Sequence, residues 1–510
     1  MSSQIKSGAI ISYAAIFFSV AAGLLYTPWM VRQIGVSDYG LYALSGAFLS
    51  YFLMDFGLGQ SIARFISKYR AEGHQNKINN LLGVTARIYL LIDGIILTVL
   101  VVIFFFLSNI FGDFTPLELE KFKLVFIIAG FFSLLSFPLM PINGAMIAYE
   151  RFFVLKITEL LQKVLVIVLM VVALLYGHGL VALILVNGLV SFGIKLFTFF
   201  YIQKKEKFRI NWQCYDKPLA KELFSFSSWI FVTGIAQRLI LNIVPTVLGI
   251  LSGTKEIAIF SIAMTLEGYT WTFAQALNGL FLPKVSRMIT ATDDRSEVSE
   301  LMVRVGRLQF LVTGLLITGI VVLGKSFILL WMGSHFLKSY YVAVFLIIPG
   351  LITLTQEIAS TLLFVVNEIK YRALFYSLAA VISVTIGVLL APKYGAIGTA
   401  IGVSTALFLC HIVAMNIVYA KVLGLNVISF FYSVQIKMSL PLIFAGTITY
   451  FSLKYYPIGN WYSFILATLY FTIIAVLFFW FFVMNKYEKD LVLGLVSFGR
   501  RLNLFRRKSR

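Results

Sequence analysis

Charged residues are scarce in this sequence. Asp, Glu, Lys and Arg make up 13% of its 510 residues and apolar residues make up 60%, whereas soluble domains carry about 25% charged residues. The apolar residues form nearly continuous stretches of roughly 20 residues or more, enough to cross a hydrocarbon core as a helix. These stretches lack the alternation that marks a transmembrane β-strand. Because backbone polar groups in lipid must be paired within a helix or a closed barrel, the sequence predicts an all-α polytopic membrane protein.

Cysteine is nearly absent. Cys214 and Cys410 are the two cysteines of the chain, the first in a polar loop and the second in a distant apolar stretch. This usage indicates neither a disulfide framework nor a metal cluster, and no metal site is predicted. The first apolar stretch, residues 8–31, is too long for the core of a signal peptide, so we interpret it as a retained first transmembrane helix.

Long polar segments are also lacking. The longest connection between apolar stretches, residues 203–222, has twenty residues. Such short connections leave no room for an extramembrane catalytic domain, which disfavours a membrane-bound polymerase or glycosyltransferase. The hydrophobic pattern predicts fourteen spans, at roughly 8–31, 39–66, 80–111, 122–149, 153–176, 179–200, 223–251, 256–288, 300–331, 340–367, 371–391, 396–420, 430–453 and 461–484.

Basic residues are unevenly distributed between the predicted loops. With the N-terminus inside, 31 of the 42 Lys and Arg residues lie on the inside and 8 on the outside, and Lys163, Arg238 and Lys437 fall within spans. An excess of Lys and Arg marks cytoplasmic loops, so both termini are predicted to be cytoplasmic. The net charge of +20 follows from this topology and from attraction to anionic membrane lipids. It does not indicate a nucleic-acid partner.

The sequence contains an internal repeat. Similar residues recur in the same order at offsets of 217–220 positions, each pair at a similar place in its span. The pairs are Pro28 and Pro245, Tyr42 and Phe260, Arg64 and Lys284, Arg87 and Arg304, Glu150 and Glu368, and Tyr176-Gly177 and Tyr394-Gly395. The repeat predicts an N-terminal six-helix lobe at 1–217, a C-terminal six-helix lobe at 218–425, two appended helices at 426–485 and a basic cytoplasmic tail at 486–510. Two parallel six-helix repeats of this kind serve alternating access in transporters.

Several motifs carry a family resemblance. They are Asp38-Tyr39-Gly40-Leu41-Tyr42-Ala43-Leu44, Asp55-Phe56-Gly57-Leu58-Gly59-Gln60-Ser61-Ile62-Ala63-Arg64-Phe65, and Gly144-Ala145 with Ala148-Tyr149-Glu150-Arg151-Phe152. Together with the 6+6+2 arrangement of spans, these motifs resemble the multidrug/oligosaccharidyl-lipid/polysaccharide exporter superfamily. The N-terminal quarter is most similar to the polysaccharide-transport branch, the Wzx-type flippases of O-antigen and capsule repeat units.

The resemblance implies transport without catalysis or a cofactor. A flippase of this branch would move an undecaprenyl-pyrophosphate-linked oligosaccharide, such as a lipopolysaccharide repeat unit, from the cytoplasmic to the outer leaflet of the bacterial inner membrane. Sugar and pyrophosphate would pass through a central cavity by alternating access while the polyprenyl tail stays in lipid. A polysaccharide polymerase and a chain-length regulator are the implied partners. The alternative is a cation-coupled multidrug antiporter, whose cavity should be rich in carboxylates because its usual substrates are cationic.

Charged side chains are the candidate substrate ligands, because within a span each costs at least about 2.5 kcal/mol unless it faces a cavity or a partner. Arg238 is the strongest candidate, since its planar guanidinium suits a phosphate. The alternative is a structural pair between Arg238 and an acid such as Glu267. Arg64 and Lys284, near the cytoplasmic ends of the two halves, are interpreted as a cationic entrance for pyrophosphate or as topological charges. The remaining candidates are Asp55, Arg32 and Lys437.

Acidic residues within the spans are candidates for coupling to H+ or Na+. A carboxylate in a low-dielectric site can take up a proton on one side of the membrane and release it on the other. Glu159 and Lys163, four residues apart on one predicted helix, are instead interpreted as a mutually neutralising pair. The candidates for ion coupling are Glu267, Glu357 and Asp93.

Overall fold

The computed structural model describes residues 3–52, 58–213, 216–275, 281–291, 295–490 and 493. Every regular element within these ranges is a helix, and none of them contains a strand, which confirms the predicted all-α class. Asp55, Cys214 and most of the predicted tail lie outside the described residues. Large apolar side chains such as Leu91, Phe105 and Leu389 are exposed on many helices, as expected of surfaces that contact lipid.

The described helices follow one another with short connections. Those of the first half are α1 (Ser3–Ile34), α2 (Val36–Phe52), α3 (Leu58–Ala71), α4 (Gln75–Ile110), α5 (Pro116–Ser136), α6 (Pro141–Ala148), α7 (Phe152–Leu175) and α8 (Leu180–Glu206). The next group comprises α9 (Lys217–Leu241), α10 (Val244–Leu251), α11 (Thr254–Gln275), α12 (Leu282–Ala291), α13 (Arg295–Trp331), α14 (Leu337–Ile347), α15 (Gly350–Thr353), α16 (Glu357–Val365) and α17 (Ile369–Tyr394). The last group comprises α18 (Ala396–Ala406), α19 (Met415–Lys421), α20 (Val427–Phe430), α21 (Lys437–Tyr455) and α22 (Trp461–Phe478), with π-helical turns at Leu407–Ala414, Phe431–Ile436 and Phe479–Val483.

Eleven helical segments of the described structure are long and apolar enough to cross a membrane. They correspond to eleven of the predicted spans. The other three are the span at 8–31, which lies within α1, and those at 39–66 and 256–288, each of which includes residues outside the described ranges. The chain is therefore a multi-pass membrane protein, and the total of fourteen spans stays a prediction.

Some of the predicted spans are interrupted. The span at 122–149 contains α5, a 3-10 turn at Phe137–Leu139 and α6, and the span at 340–367 contains α14, α15 and α16. Pro138 and Pro349 lie at these interruptions, and proline has no N–H to donate to the preceding turn. The hydrophobic pattern did not predict these interruptions, because apolar run length does not report a local loss of backbone hydrogen bonds.

The internal repeat is also visible in the backbone. Three pairs of residues with positive φ are 217 or 218 positions apart, and each lies between two helices. They are Gly35 and Gly253 (φ 86° and 80°), Glu150 and Asn367 (φ 57° and 59°), and Gly177 and Gly395 (φ 79° and 56°). Left-handed backbone of this kind commonly terminates helices. The two halves thus interrupt their helices at equivalent positions, which supports the repeat inferred from the sequence.

The chain forms two compact units. The first unit comprises residues 1–264 and 369–410, and the second comprises 265–368 and 411–510. In the first unit, α1 packs on α7, α5 on α8 and α9 on α17. In the second unit, α13 packs on α14, α21 and α22. The predicted lobe boundaries at 217 and 425 stay a prediction.

Two glycines of the first unit lie where a side chain would collide with backbone. A Cβ atom at Gly40 would lie 2.2 Å from the carbonyl oxygen of Thr254, and one at Gly144 would lie 2.4 Å from the carbonyl oxygen of Gly59. The absence of side chains lets α2 approach the start of α11 and lets α6 approach α3. Gly40, Gly59 and Gly144 belong to the motifs that carry the family resemblance. Those motifs therefore set distances between helices.

Candidate functional site

Helix α7 of the first unit has two exposed faces of opposite character. One face is apolar and includes Leu161, Val168 and Val172. Lys163 follows Leu161 by two residues, about 200° around the helix, and it is exposed too, as is Glu159 one turn earlier. Lys163 is the twelfth of the 24 residues of α7, so it lies at mid-depth. A charge at this depth needs a cavity or a partner, so the apolar face suits lipid and the charged face does not.

Lys163 is not neutralised by Glu159. Its Nζ atom donates to Ser19 Oγ on α1 at 2.9 Å, whereas Glu159 accepts from Lys156 Nζ at 2.8 Å. The predicted Glu159–Lys163 pair is therefore wrong. On a helix, a side chain can reach residues three or four positions away. Glu159 pairs with Lys156, three positions before it, and not with Lys163, four positions after it. The positive charge of Lys163 has no acidic partner among the described residues. The four-residue spacing of Glu159 and Lys163 had indicated otherwise.

Polar side chains continue from α7 to α8. Gln162 Nε2 donates to Ser191 Oγ at 2.9 Å, and Ser191 Oγ donates to Asn187 Oδ1 at 3.3 Å. Asn187 is exposed, and so is Leu185 two residues earlier on the opposite side of α8. Amide and hydroxyl groups can both donate to and accept from the hydroxyls of a sugar. The contacts of Lys163 and Gln162 thus bring one cation and several uncharged polar groups of α1, α7 and α8 to this part of the first unit.

Arg238 lies at the contact between α9 and α2. Its Nη1 atom donates to the carbonyl oxygen of Ser50 at 2.5 Å. One turn later, Asn242 Nδ2 donates to Ser50 Oγ at 3.0 Å, and the Asn242 carbonyl oxygen accepts from the Tyr51 hydroxyl at 2.5 Å. The half-buried guanidinium has no acidic partner in the part of the chain that the structure describes. One carbonyl group occupies only one of its five N–H donors, so Arg238 stays a candidate ligand for an anion.

The other predicted substrate residues fall in both units. Arg32, at the end of α1, and Arg64, on α3, are exposed in the first unit. Lys284, on α12, and Lys437, on α21, are exposed in the second unit. The Lys437 ammonium lies 4.7 Å from the centre of the Tyr432 ring. The cationic entrance expected from Arg64 and Lys284 stays a prediction.

The predicted coupling carboxylates also fall in both units. Asp93 is half-buried near the middle of α4, and its Oδ1 atom is buried without a hydrogen-bond partner in the described structure. Glu267, on α11 in the second unit, is only 8% exposed. Glu357 begins α16, directly after the interruption that follows α15. Because burying an unpaired charge is costly, Asp93 and Glu267 stay candidates for coupling to H+ or Na+, and the role of Glu357 stays a prediction. Within the described ranges, no three His, Cys, Asp or Glu side chains are grouped to hold a metal ion.

A polar cluster joins the starts of α2, α5 and α11, on the side of the first unit that is predicted to be outside. Glu118 accepts hydrogen bonds from Ser37 Oγ and, at 2.7 Å, from Thr254 Oγ1, and the two hydroxyl oxygens lie 3.1 Å apart. Lys121 pairs with Asp38 at 2.8 Å. We call these five residues the outer cluster. Ser37 belongs to the first predicted lobe and Thr254 to the second, so Glu118 links the two at this end.

A family model described as "Polysaccharide biosynthesis protein" matches residues 5–280, which is more than half of the chain. The chain belongs to this family. No curated protein matches its sequence.

The fold of this polysaccharide biosynthesis protein is shared with solved transporters. The lipid II flippase MurJ in an inward closed conformation matches with a TM-score of 0.70 and 16% identity, over 95% of this chain and 100% of that one. A multidrug resistance MATE family transporter of the MOP superfamily, in an inward-facing conformation, matches with a TM-score of 0.63 and 13% identity, over 82% and 98%. A mutant of the Vibrio cholerae MATE transporter VcmN matches with a TM-score of 0.54 and 14% identity, over 83% and 98%. This likeness shows that the chain has the fold of these transporters, as predicted.

The motif residues of this polysaccharide biosynthesis protein act mainly in its structure. The Arg70 guanidinium, at the end of α3, lies 5.3 Å from the centre of the Tyr149 ring. Arg151, which precedes α7, pairs with Glu206 at the end of α8 at 2.6 Å. The exposed polar face of α7 lies outside these motifs, so the family resemblance alone did not draw attention to it.

Proposed function

We propose that this chain is a Wzx-type flippase that moves an undecaprenyl-pyrophosphate-linked oligosaccharide from the cytoplasmic to the outer leaflet by alternating access. Family membership supports a role in polysaccharide biosynthesis, and the fold supports transport. The observation that carries the proposal is the exposed cation Lys163, which lies at mid-depth on the side of α7 opposite its apolar face.

The physical reason is the cost of moving a pyrophosphate through the bilayer. An isolated anion is strongly disfavoured in a medium of low dielectric constant unless it is paired and hydrogen-bonded. Lys163 supplies a positive charge, and Arg238 supplies a second one in the same unit. Gln162, Asn187 and Ser19 add uncharged groups that can replace water around the hydroxyls of the sugar. This set of residues suits a substrate with a negative head and a hydrated oligosaccharide.

The alternative function is a cation-coupled multidrug antiporter, and the likeness of the fold to MATE transporters supports it. An antiporter for cationic compounds needs an excess of carboxylates around its substrate. The polar face of α7 carries an excess of positive charge instead. Glu159 is paired with Lys156, and the charge of Lys163 has no acidic partner among the described residues. We therefore favour an anionic substrate.

Reconstituted vesicles test the proposal. Purified protein is incorporated into phospholipid vesicles with a fluorescent undecaprenyl-pyrophosphate-linked oligosaccharide, and the rate at which a membrane-impermeant quencher gains access to the sugar is measured. We expect Lys163→Gln to lower this rate at least about tenfold, since a charge-assisted contact is lost, and Lys163→Arg to retain much of it. Lys393→Gln, at an exposed site near the end of α17, is the matched control.

Two results would contradict the proposal in different ways. Wild-type vesicles that transport a cationic dye but not the lipid-linked sugar would favour the antiporter. Normal flipping by Lys163→Gln would be compatible with the flippase function but would show that Lys163 does not bind the substrate.

The same vesicles test the remaining parts of the proposal. We propose that Asp93, Glu267 or Glu357 couples flipping to H+ or Na+, so an imposed gradient of the coupling ion should accelerate flipping in the wild-type protein and not in the corresponding Asn or Gln variant. Arg64 and Lys284 are proposed to attract the pyrophosphate, so their charge-removing variants should raise the substrate concentration needed for half-maximal rate. A polymerase and a chain-length regulator are the proposed partners, to be tested by co-purification.

A further inference from the structure

Two cavities lie side by side in the second unit, between the start of α13 and the C-terminal helices. The first has a volume of 700 Å³ and polar walls that include Glu300 and Arg304. The second has a volume of 780 Å³ and largely apolar walls. Val303, Arg307 and Asn485 line both cavities. The two cavities therefore adjoin each other, one with polar and the other with largely apolar walls, the division that a lipid molecule also has.

Arg307 lies where the two cavities adjoin but is not available to a ligand. Its Nε and Nη2 atoms pair with the Glu488 carboxylate at 2.5 and 2.9 Å. Its Nη1 donates to the carbonyl oxygen of Ser433 at 3.0 Å, and Nη2 also donates to that of Val483 at 2.8 Å. Arg307 is 8% exposed and Glu488 is 2% exposed. The ion pair has no net charge and the Arg307 nitrogens already donate hydrogen bonds within the protein. It therefore lines the cavities without binding a ligand.

Glu300 and Arg304 leave both of their charges open. They are four residues apart on α13, a spacing at which an acid and a base commonly pair, yet neither forms an ion pair with any residue that the structure describes. The Arg304 guanidinium lies 5.5 Å from the centre of the Tyr487 ring, and Glu300 and Arg304 are exposed. The polar cavity thus offers one cation and one carboxylate on the same wall.

The internal repeat shows what an arginine at this place binds. The counterpart of Arg304 in the first half is Arg87, at an offset of 217. Arg87 donates a hydrogen bond to the carbonyl oxygen of Trp212, whose own counterpart, Ser429, lines the polar cavity. Arg304 has no such oxygen acceptor among the described residues. An oxygen atom of a ligand can therefore accept from Arg304, as the carbonyl oxygen of Trp212 accepts from Arg87 in the first half.

The two halves also differ in the residue that faces this loop. A Cβ atom at Gly83 would lie 2.0 Å from the carbonyl oxygen of Asn211, so this loop reaches α4 only because Gly83 lacks a side chain. The counterpart of Gly83 at the offset of 217 is Glu300. Glu300 has a side chain where Gly83 has none, and the equivalent loop contacts α13 at the preceding residue, where the backbone N–H of Asn426 donates to Ser299 Oγ at 3.1 Å.

We propose that these adjoining cavities bind one aminophospholipid, with its phosphate at Arg304, its ammonium at Glu300 and an acyl chain against Phe444 and Phe478. Phosphate oxygens are the acceptors that Arg304 lacks, and a primary ammonium supplies N–H donors to the carboxylate. Lys437 lines the apolar cavity, and its long side chain can extend toward the phosphate. The lipid comes from the leaflet predicted to be cytoplasmic, because α13 begins and α22 ends on that side.

The charges of the site favour this lipid over a polyprenyl pyrophosphate. A pyrophosphate would place additional negative charge beside Glu300, where like charges repel, and it has no ammonium to neutralise the carboxylate. The proposal does not rest on the flippase function, because all lining residues belong to the second unit and binding is measured without transport.

Native mass spectrometry of the full-length protein in detergent tests the proposal. Delipidated protein is titrated with phosphatidylethanolamine, with phosphatidylcholine of the same acyl chains, and with undecaprenyl phosphate. We expect one tightly retained phosphatidylethanolamine per protein, and at least about tenfold weaker binding of phosphatidylcholine, whose methylated ammonium has no N–H for Glu300. Arg304→Gln and Glu300→Gln should each weaken phosphatidylethanolamine binding to a similar degree. Lys486→Gln, exposed and outside both cavities, is the control and should bind as wild type.

Three results would overturn the proposal. They are equal binding of the two phospholipids, unchanged binding of phosphatidylethanolamine by Glu300→Gln, and displacement of that lipid by undecaprenyl phosphate at lower concentration. The last result would assign the cavities to a polyprenyl chain. If Arg304→Gln fails to fold, Glu300→Gln carries the test, since it changes an exposed side chain without changing its size.

Discussion

Lys163 Nζ and Ser19 Oγ lie 2.9 Å apart across the contact between α7 and α1. This hydrogen bond holds an ammonium group at mid-depth in a transmembrane helix, without an acidic partner among the described residues. Leu161, two residues earlier, is exposed on the opposite side of the same helix. One helix thus presents a charged and an apolar side, and the difference between them can be measured directly.

Thiol accessibility should distinguish the two faces of α7. In a chain carrying Cys214→Ser and Cys410→Ala, we expect Lys163→Cys to react with a water-soluble thiol reagent, because its side chain faces water. Leu161→Cys should stay unreactive, because thiols in lipid are not ionised. Labelling is followed by mass spectrometry, and equal reactivity at the two positions would contradict the assignment of the faces.

Arg238 and Asn242 should differ in their effect on transport. Both donate hydrogen bonds to Ser50, so we expect Arg238→Ala and Asn242→Ala to lower the melting temperature to a similar, small extent, each by the loss of one hydrogen bond worth about 1 kcal/mol. Only Arg238→Ala removes a positive charge, so only it should abolish flipping. Normal flipping by Arg238→Ala in the vesicle assay would show that the residue is purely structural.

A disulfide across the outer cluster should stop transport. The hydroxyl oxygens of Ser37 and Thr254 lie 3.1 Å apart, so we expect Ser37→Cys with Thr254→Cys to crosslink on oxidation and to hold the two predicted lobes together at this end. Flipping should cease and should return after reduction. The controls are the single variants Ser37→Cys and Thr254→Cys, each of which lacks the second thiol of the pair. Full flipping in the crosslinked protein would show that the outer cluster need not separate.

The buried pair of Arg307 and Glu488 should show strong coupling. Removing one partner leaves the other charge buried without compensation, at a cost of about 3–5 kcal/mol. Arg307→Met and Glu488→Gln should therefore each lower the thermal stability strongly, and the double variant should lose less than the sum of the two. Unfolding in detergent is followed by light scattering or intrinsic fluorescence. Additive losses would mean that the two side chains act independently.

Gly144 should not tolerate even one additional carbon. A Cβ atom there would lie 2.4 Å from the carbonyl oxygen of Gly59, so we expect Gly144→Ala to destabilise the first unit by about 1–3 kcal/mol through overpacking. Gly193→Ala is the matched control, because a Cβ atom at Gly193 has no atom within 4 Å. Its stability, measured by the same thermal assay, should equal or exceed that of the wild type. Equal behaviour of both variants would contradict the packing argument.

Composition predicted the fold class because the requirement for paired backbone groups in lipid acts on every span alike. The interruptions at Pro138 and Pro349 escaped prediction, because an apolar run does not reveal which hydrogen bonds a proline removes. The spacing of Glu159 and Lys163 indicated a pair, but it could not show that Lys156 competes for the same carboxylate. Arg307 and Glu488 are separated by 181 positions, and no local pattern relates residues so far apart. The candidate site was therefore only partly predictable: Arg238 was chosen from its depth, whereas Lys163 required the exposed faces of α7.

The pairing of Arg307 with Glu488 also has a consequence for how the chain is made. Arg307 leaves the ribosome 181 residues before its partner, which at about 5–20 residues per second is a delay of roughly 10–40 s. For that time a guanidinium group is present at the membrane without its counter-charge, so the second unit cannot reach its final arrangement while translation continues. A nascent chain that stops short of Glu488 would remain incompletely assembled, even though every one of its transmembrane segments had been inserted.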